Sequence, residues 1–163
     1  MTDVELIPSD AVSRQYDLLR EDCGLVLLPQ HSLIRLSGED RKGWLQGQAT
    51  NDLRKFDSGA SREFCILGIT GHVLTTCEAW ALDDAIAMTC PVATTTAWLK
   101  RIEQMVILED VVAQDVSVDS TLISIQGPQA TAKLSEWTSL PSLDAGICEF
   151  GKEHAPCFRS NRT

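Results

Sequence analysis

The 163-residue sequence is short of basic residues, of aromatics and of long apolar runs, and each shortage excludes a class of function. Lys and Arg together number 14 against 23 Asp and Glu, a net charge of −9. A field of that sign repels phosphate backbones and anionic membrane surfaces, so direct nucleic-acid binding and a basic interfacial helix are not expected. Arg54-Lys55 and Lys100-Arg101 are the only local basic pairs considered, and they read as solvated surface. No apolar run approaches the roughly 18 residues that a membrane-spanning helix needs. The polar, acidic start carries no basic n-region followed by an apolar h-region. No two of the six cysteines (23, 65, 77, 90, 148 and 157) stand at C-x-x-C spacing, and the three histidines (31, 72 and 154) have no partner four residues away. Zinc-ribbon and thioredoxin-like chemistry therefore lack a motif. There is no Gly-rich phosphate loop, no Ser/His/Asp or Cys/His constellation, no internal repeat, no heptad and no low-complexity segment. What remains is a reduced, cytoplasmic-type domain with 44% apolar residues, enough for a real core.

Hydrophobic periodicity predicts α+β architecture, an antiparallel sheet with inserted helices. Ser9-Asp10 caps a helix reaching about Asp22, with Val12, Tyr16, Leu19 and Cys23 as its apolar stripe and Gly24 as its stop. Leu25 to Leu28 is a short apolar run. Ser32 to Leu36 alternates as a strand, with Leu33 and Arg35 on one face and Ile34 and Leu36 on the other. Asp40 caps a short helix. Arg62 to Gly68, Val73 to Leu82 and Ala85 to Thr89 form a three-stranded meander, turned at Thr70-Gly71-His72 and at Asp83-Asp84. Pro91 opens a helix over about Ala93 to Gln104, with Ala97, Trp98, Ile102 and Met105 toward the core. Val106 to Val112 and Leu122 to Gln126 read as strands, which puts Glu109-Asp110 on a solvated strand face. Gly127-Pro128 starts a helix whose apolar side is Ala132, Leu134 and Trp137. Residues 138 to 145 are loop, and Gly146 to Phe150 and Cys157 to Arg159 are weak strands. The four tryptophans are spaced as packing residues, with Trp80 sharing a strand face with Glu78 and Leu82.

The densest signal is Ser37-Gly38-Glu39-Asp40-Arg41-Lys42-Gly43-Trp44-Leu45-Gln46-Gly47-Gln48-Ala49-Thr50-Asn51-Asp52-Leu53. Two of its glycines fall within or at the end of a short helix, where glycine costs roughly 1 kcal/mol against alanine. Glycine there allows close approach of another backbone or a ligand, and the amides serve either to satisfy loop backbone or to line a cleft.

This pattern, G-E-D-R-x-x-W-L-Q-G-Q-x-T-N-D-L, resembles the signature of the folate-binding YgfZ family, which is related to the aminomethyltransferase T-protein of the glycine cleavage system. Gly59, Gly71-His72-Val73-Leu74, Leu99 to Asp115 and Ile125-Gln126-Gly127-Pro128 follow the same plan in order. The resemblance implies the first part of a three-part ring around a tetrahydrofolate site, and one domain over residues 1–163. The end of the chain, Phe158 to Thr163, reads as a strand entering a turn, as in an N-terminal fragment or shortened version, and an exposed edge there would promote self-association. The resemblance implies folate-binding residues at Trp44, Gln46, Gln48, Thr50, Asn51, Thr75 and Thr76, and partners that are folate-type small molecules and iron–sulfur proteins. It links the chain to iron–sulfur cluster assembly or repair and, indirectly, to tRNA modification. The family's K-G-C-Y-x-G-Q-E segment is absent, and none of the six cysteines inherits its role. The T-protein's aspartate pair is matched by Thr75 and Thr76, and its later asparagine by about Cys90. A hydroxyl cannot replace a carboxylate in proton transfer at neutral pH. The expectation is a binding or accessory protein rather than an enzyme. The alternatives are a tetrahydrofolate-dependent aminomethyltransferase and a degenerate packing domain.

Overall fold

The computed structural model describes residues 10–138, 145–150 and 153–158. Helix α1 (Asp10–Glu21) leads into β1 (Gly24–Leu27) and β2 (His31–Ser37). After α2 (Arg41–Gln46) come β3 (Ser61–Leu67), β4 (Val73–Ala81) and β5 (Ala85–Pro91), then α3 (Val92–Met105). Strand β6 (Val112–Asp115), a 3-10 turn at Ser117–Asp119, β7 (Ile123–Gln126), α4 (Ala130–Trp137), β8 (Ala145–Phe150) and β9 (Glu153–Phe158) complete the order. The α+β architecture of antiparallel strands with inserted helices is what the sequence implies.

The main sheet has the order β3-β4-β5-β2-β6, with antiparallel pairing throughout. The meander predicted from three β-rich runs is its β3-β4-β5 half. Gly71, at φ +82°, makes the first turn and Asp83-Asp84 the second, where Asp84 pairs with Arg35. β2 alternates as expected, with Ser32, Ile34 and Leu36 buried. Register carries that face across the sheet: Ile34 opposes Met88, Met88 opposes Ala79, and Cys77 opposes Phe64. Helices α2 and α3 cover it with Trp44, Leu45, Trp98 and Ile102. Glu78, Trp80 and Thr89 are also buried, but on the opposite face of the sheet.

Several expectations are corrected. The stripe of α1 is not buried: Val12 and Tyr16 are more than half exposed, and Leu19 is only half-buried. Asp40 precedes α2 but makes no capping bond there; its carboxylate accepts the amide of Asp110 instead, at 2.8 Å. In α3 the buried residues are Thr95, Trp98 and Ile102, while Ala97 and Met105 are exposed. Residues 106–111 are a connection rather than a strand, and pairing begins only at Val112. The apolar run misleads there because Glu109 turns back to accept the amides of Ile107 and Leu108. Pro128 lies two residues before α4 rather than in its first turn, and Ala132 is exposed. β8 and β9 pair as a hairpin. The side chains of Trp137, Cys148 and Cys157, and the chain end at 159–163, lie outside the described residues.

Candidate functional site

Segment 38–53 is held by its backbone before any side chain is considered. Gly38 has φ +101°, and a Cβ there would lie 2.0 Å from the carbonyl oxygen of Asp110. Only glycine permits that approach. It lets the Asp40 amide donate to the Asp110 carbonyl and the Glu39 amide donate to the Asp110 carboxylate. The first turn of α2 is thereby clamped to the connection between α3 and β6. Gly43 has a different basis: nothing lies within 4 Å of a Cβ built on it. Gly47 ends α2. Close approach therefore explains Gly38 and not Gly43, while a Cβ at Gly47 would meet the Trp44 carbonyl oxygen at 3.3 Å.

The predicted site residues divide sharply. Trp44 is buried and stacks on Trp98 with ring centroids 6.1 Å apart, and its indole N–H donates to the Met105 carbonyl at 3.3 Å. It belongs to the core cluster. The side-chain carbonyl of Gln46 accepts the Leu53 amide. Thr50 Oγ1 accepts the Cys65 amide at 2.8 Å, and the Thr50 amide donates back to the Cys65 carbonyl. Asn51 donates to the Glu63 carbonyl and accepts the Asp52 amide, both at 2.8 Å. Thr50 and Asn51, both exposed, pin the 46–53 loop along the outer edge of β3, and Gln46 closes the loop on itself. Beyond them Asp52 pairs with Arg54, whose guanidinium and backbone amide bond the carboxylate and hold its pKa down to about 2.

Gln48, Thr75 and Thr76 remain. Gln48 Oε1 lies 3.5 Å from a terminal guanidinium nitrogen of Arg101. Thr75 is 3% exposed, and its hydroxyl lies 2.7 Å from that of Thr94, which also donates to the Pro91 carbonyl. Thr76, the next residue of the strand, is exposed. Thr94 and Arg101 are seven residues apart, two turns along one flank of α3. The structure therefore brings Gln48 and Thr75 to the same helix flank through partners that sequence reasoning missed. The pair Lys100-Arg101 reads as solvated surface in the sequence, yet Arg101 is half-buried and its Nε–H has no acceptor among the described residues. The i, i+7 spacing of Thr94 and Arg101 was the available signal.

A second hydroxyl set lies beneath this flank. Thr95 donates to Ser32 at 2.7 Å, and Cys90 Sγ lies 3.5 Å from Thr95 Oγ1. Burial pushes the Cys90 and Cys77 thiols up, so neither is a thiolate near neutral pH. Among the described residues no group of three His, Cys, Asp or Glu side chains could hold a metal ion. No helix among them is long and apolar enough to cross a membrane. Two surface clefts, of about 390 and 270 Å³, are lined by none of the seven predicted residues.

Comparison with known proteins sets this geometry in context. The chain is 28% identical over 140 residues to the aminomethyltransferase of Chloroherpeton thalassium, covering 83% of this chain and 38% of that protein. Its fold matches the crystal structure of glycine cleavage system aminomethyltransferase T from Bartonella henselae with a TM-score of 0.70 at 20% identity, covering 79% of this chain and 35% of that one. The chain thus spans well under half the length of these relatives. Residues 6–154 match the GCVT N-terminal domain, and the chain belongs to that family.

Proposed function

We propose that this chain is a folate-type binding domain of the T-protein architecture that acts as an accessory protein rather than as an aminomethyltransferase. One observation carries the reading. Thr75 is buried with its hydroxyl against that of Thr94, and the sequence resemblance matches Thr75 and Thr76 to the T-protein's aspartate pair. A threonine hydroxyl neither takes a proton at neutral pH nor balances a developing positive charge. The chemistry of proton abstraction is missing while the polar surroundings persist.

The donor set fits a tetrahydrofolate-like ligand only in part. Gln46, Thr50 and Asn51 are spent on backbone groups. The groups left on the α3 side to meet the alternating donors and acceptors of a pterin are the Gln48 amide and the Arg101 guanidinium; Thr76, next to Thr75 on β4, points to the other face of the sheet. Arg101 also offers a cation to a carboxylate. With so few groups, affinity is weak for this chain alone. The domain would then be one part of a larger ring, supplied in the cytoplasm to systems that maintain iron–sulfur clusters and, through them, tRNA modification.

Two measurements test this reading. Titration calorimetry of the purified chain with folinic acid should give binding weaker than micromolar that Gln48→Leu and Arg101→Leu remove. Submicromolar binding untouched by both variants would refute the assignment of these groups. In a glycine-cleavage assay with tetrahydrofolate the chain should show no turnover. Turnover abolished by Thr75→Val would overturn the accessory reading in favour of a transferase, the activity named for both relatives.

A further inference from the structure

The flank of α3 opposite Arg101 faces the free edge of the main sheet, and a groove runs between them. Leu99, Ile102 and Val106 line it from the helix side, and Val111 and Ala113 from the strand side, enclosing about 390 Å³. Glu103 and Asp115 are the charged residues that line it; no Lys or Arg does. Neither carboxylate has an ion-pair partner among the described residues, and both side chains are exposed. The connection at the groove's end presents Ile107 and Leu108, 80% and 94% exposed, with Val112 beside them. Exposed apolar side chains at that density mark an interaction surface more often than a solvated one.

The strand that forms one wall also has hydrogen-bonding capacity to spare. Among the described residues β6 is the last strand of the sheet and pairs only with β2. The Val116 amide donates to Leu33, so by the alternation of an antiparallel ladder the amides and carbonyls of Ala113 and Asp115 point away from β2. Such an edge accepts an added strand, with backbone bonds giving affinity and alternate side chains giving specificity.

We propose that this groove docks an extended segment of a partner polypeptide that carries apolar residues and Lys or Arg together on one strand face, at positions i, i+2 and i+4. The segment pairs with the outer edge of β6, sets its apolar side chains against Leu99, Ile102 and Val106, and places its cations at Glu103 and Asp115. Charge decides the occupant. A second copy of this chain carries a net charge of −9 and brings acid to an acidic rim, whereas a basic segment gives ion-pair partners to Glu103 and to Asp115, whose carboxylate otherwise accepts only the Ser117 amide among the described residues.

The test uses fluorescence anisotropy of the full chain with short labelled peptides, one a repeat of Val-Ser-Lys-Ser and one a repeat of Val-Ser-Glu-Ser, so that valine and charge share one strand face. The lysine peptide should bind, lose affinity as salt is raised, and bind roughly tenfold more weakly to the Glu103→Gln/Asp115→Asn double variant. The glutamate peptide should not bind. Ala113→Pro, which removes one outward amide, should weaken binding as well; if that variant fails to fold, the double variant at two exposed positions still decides. Equal binding of the two peptides, or unchanged binding by the double variant, would overturn the proposal. So would a dimer in sedimentation equilibrium that the double variant dissociates, because the occupant would then be a second copy.

Discussion

At the scale of single residues, Gly38 and Asp110 carry more of the fold than the charged and aromatic residues around them. A side chain at position 38 meets both a left-handed backbone and the Asp110 carbonyl at 2.0 Å. The backbone term alone is of order 1–3 kcal/mol, and the contact cannot be relieved without parting α2 from the 106–111 connection. Gly38→Ala should therefore destabilise the chain by about 3 kcal/mol or more, read as a fall in the urea midpoint at unchanged slope. Gly43→Ala, with open space around it, should be neutral or slightly stabilising, because alanine is the better helix former. If the two variants lost stability equally, the close approach at Gly38 would not be the reason for that glycine. The sequence could flag both glycines but could not rank them. Local spacing reports a helix-breaking residue, whereas the steric demand comes from an aspartate 72 positions away in the chain.

At the scale of elements, the chain divides into those whose apolar faces are covered and those whose faces are not. β4 and β5 are buried almost throughout, and the Trp44–Trp98 stack locks α2 to α3. Helix α1 has no buried residue, although its sequence carries a helical stripe. An isolated helix of that length is marginal in water, because most helical stability in proteins comes from the packing of one face. The amides of α1 should accordingly exchange with deuterium far faster than those of β4 and β5 in hydrogen-exchange mass spectrometry. Protection of α1 equal to that of β5 would mean that another contact holds it. Periodicity identified α1, β2, β3, β4, β5 and α3 because each obeys one repeat over a full element. It failed at 106–112, where an apolar run is broken by a carboxylate that bonds the amides just before it. It also misassigned Ala97 and Met105, because helical spacing gives a stripe but not the angle at which the helix meets its sheet.

At the scale of the whole molecule, one face of the sheet is dry beneath α2 and α3, and the α3 flank that meets Gln48 lies on the same side. Cys77 and Cys90 lie in the dry face, whereas Cys23 and Cys65 are half-buried. A thiol reagent should modify Cys23 and Cys65 in the folded chain and leave Cys77 and Cys90 unmodified until denaturant unfolds the sheet, because burial both blocks access and raises their thiol pKa. Peptide mapping after labelling separates the four. Early labelling of Cys90 would show that the Ser32–Thr95 network opens without global unfolding. Helix α3 itself separates the flank where Gln48 meets Arg101 from the groove at β6, so loss of folinic acid binding and loss of peptide binding should be independent.

The sequence by itself determined the class of fold, the meander and the membership of the aminomethyltransferase-type family. Those depend on residue identity and on short-range periodicity, which are written locally. Tertiary structure alone decided which amides of segment 38–53 are spent on backbone and which remain, that Trp44 packs on Trp98, and that Arg101 meets Gln48. Hydrogen-bond partners and burial are set by the register of strands and the seating of helices, and these join residues dozens of positions apart that no local pattern connects.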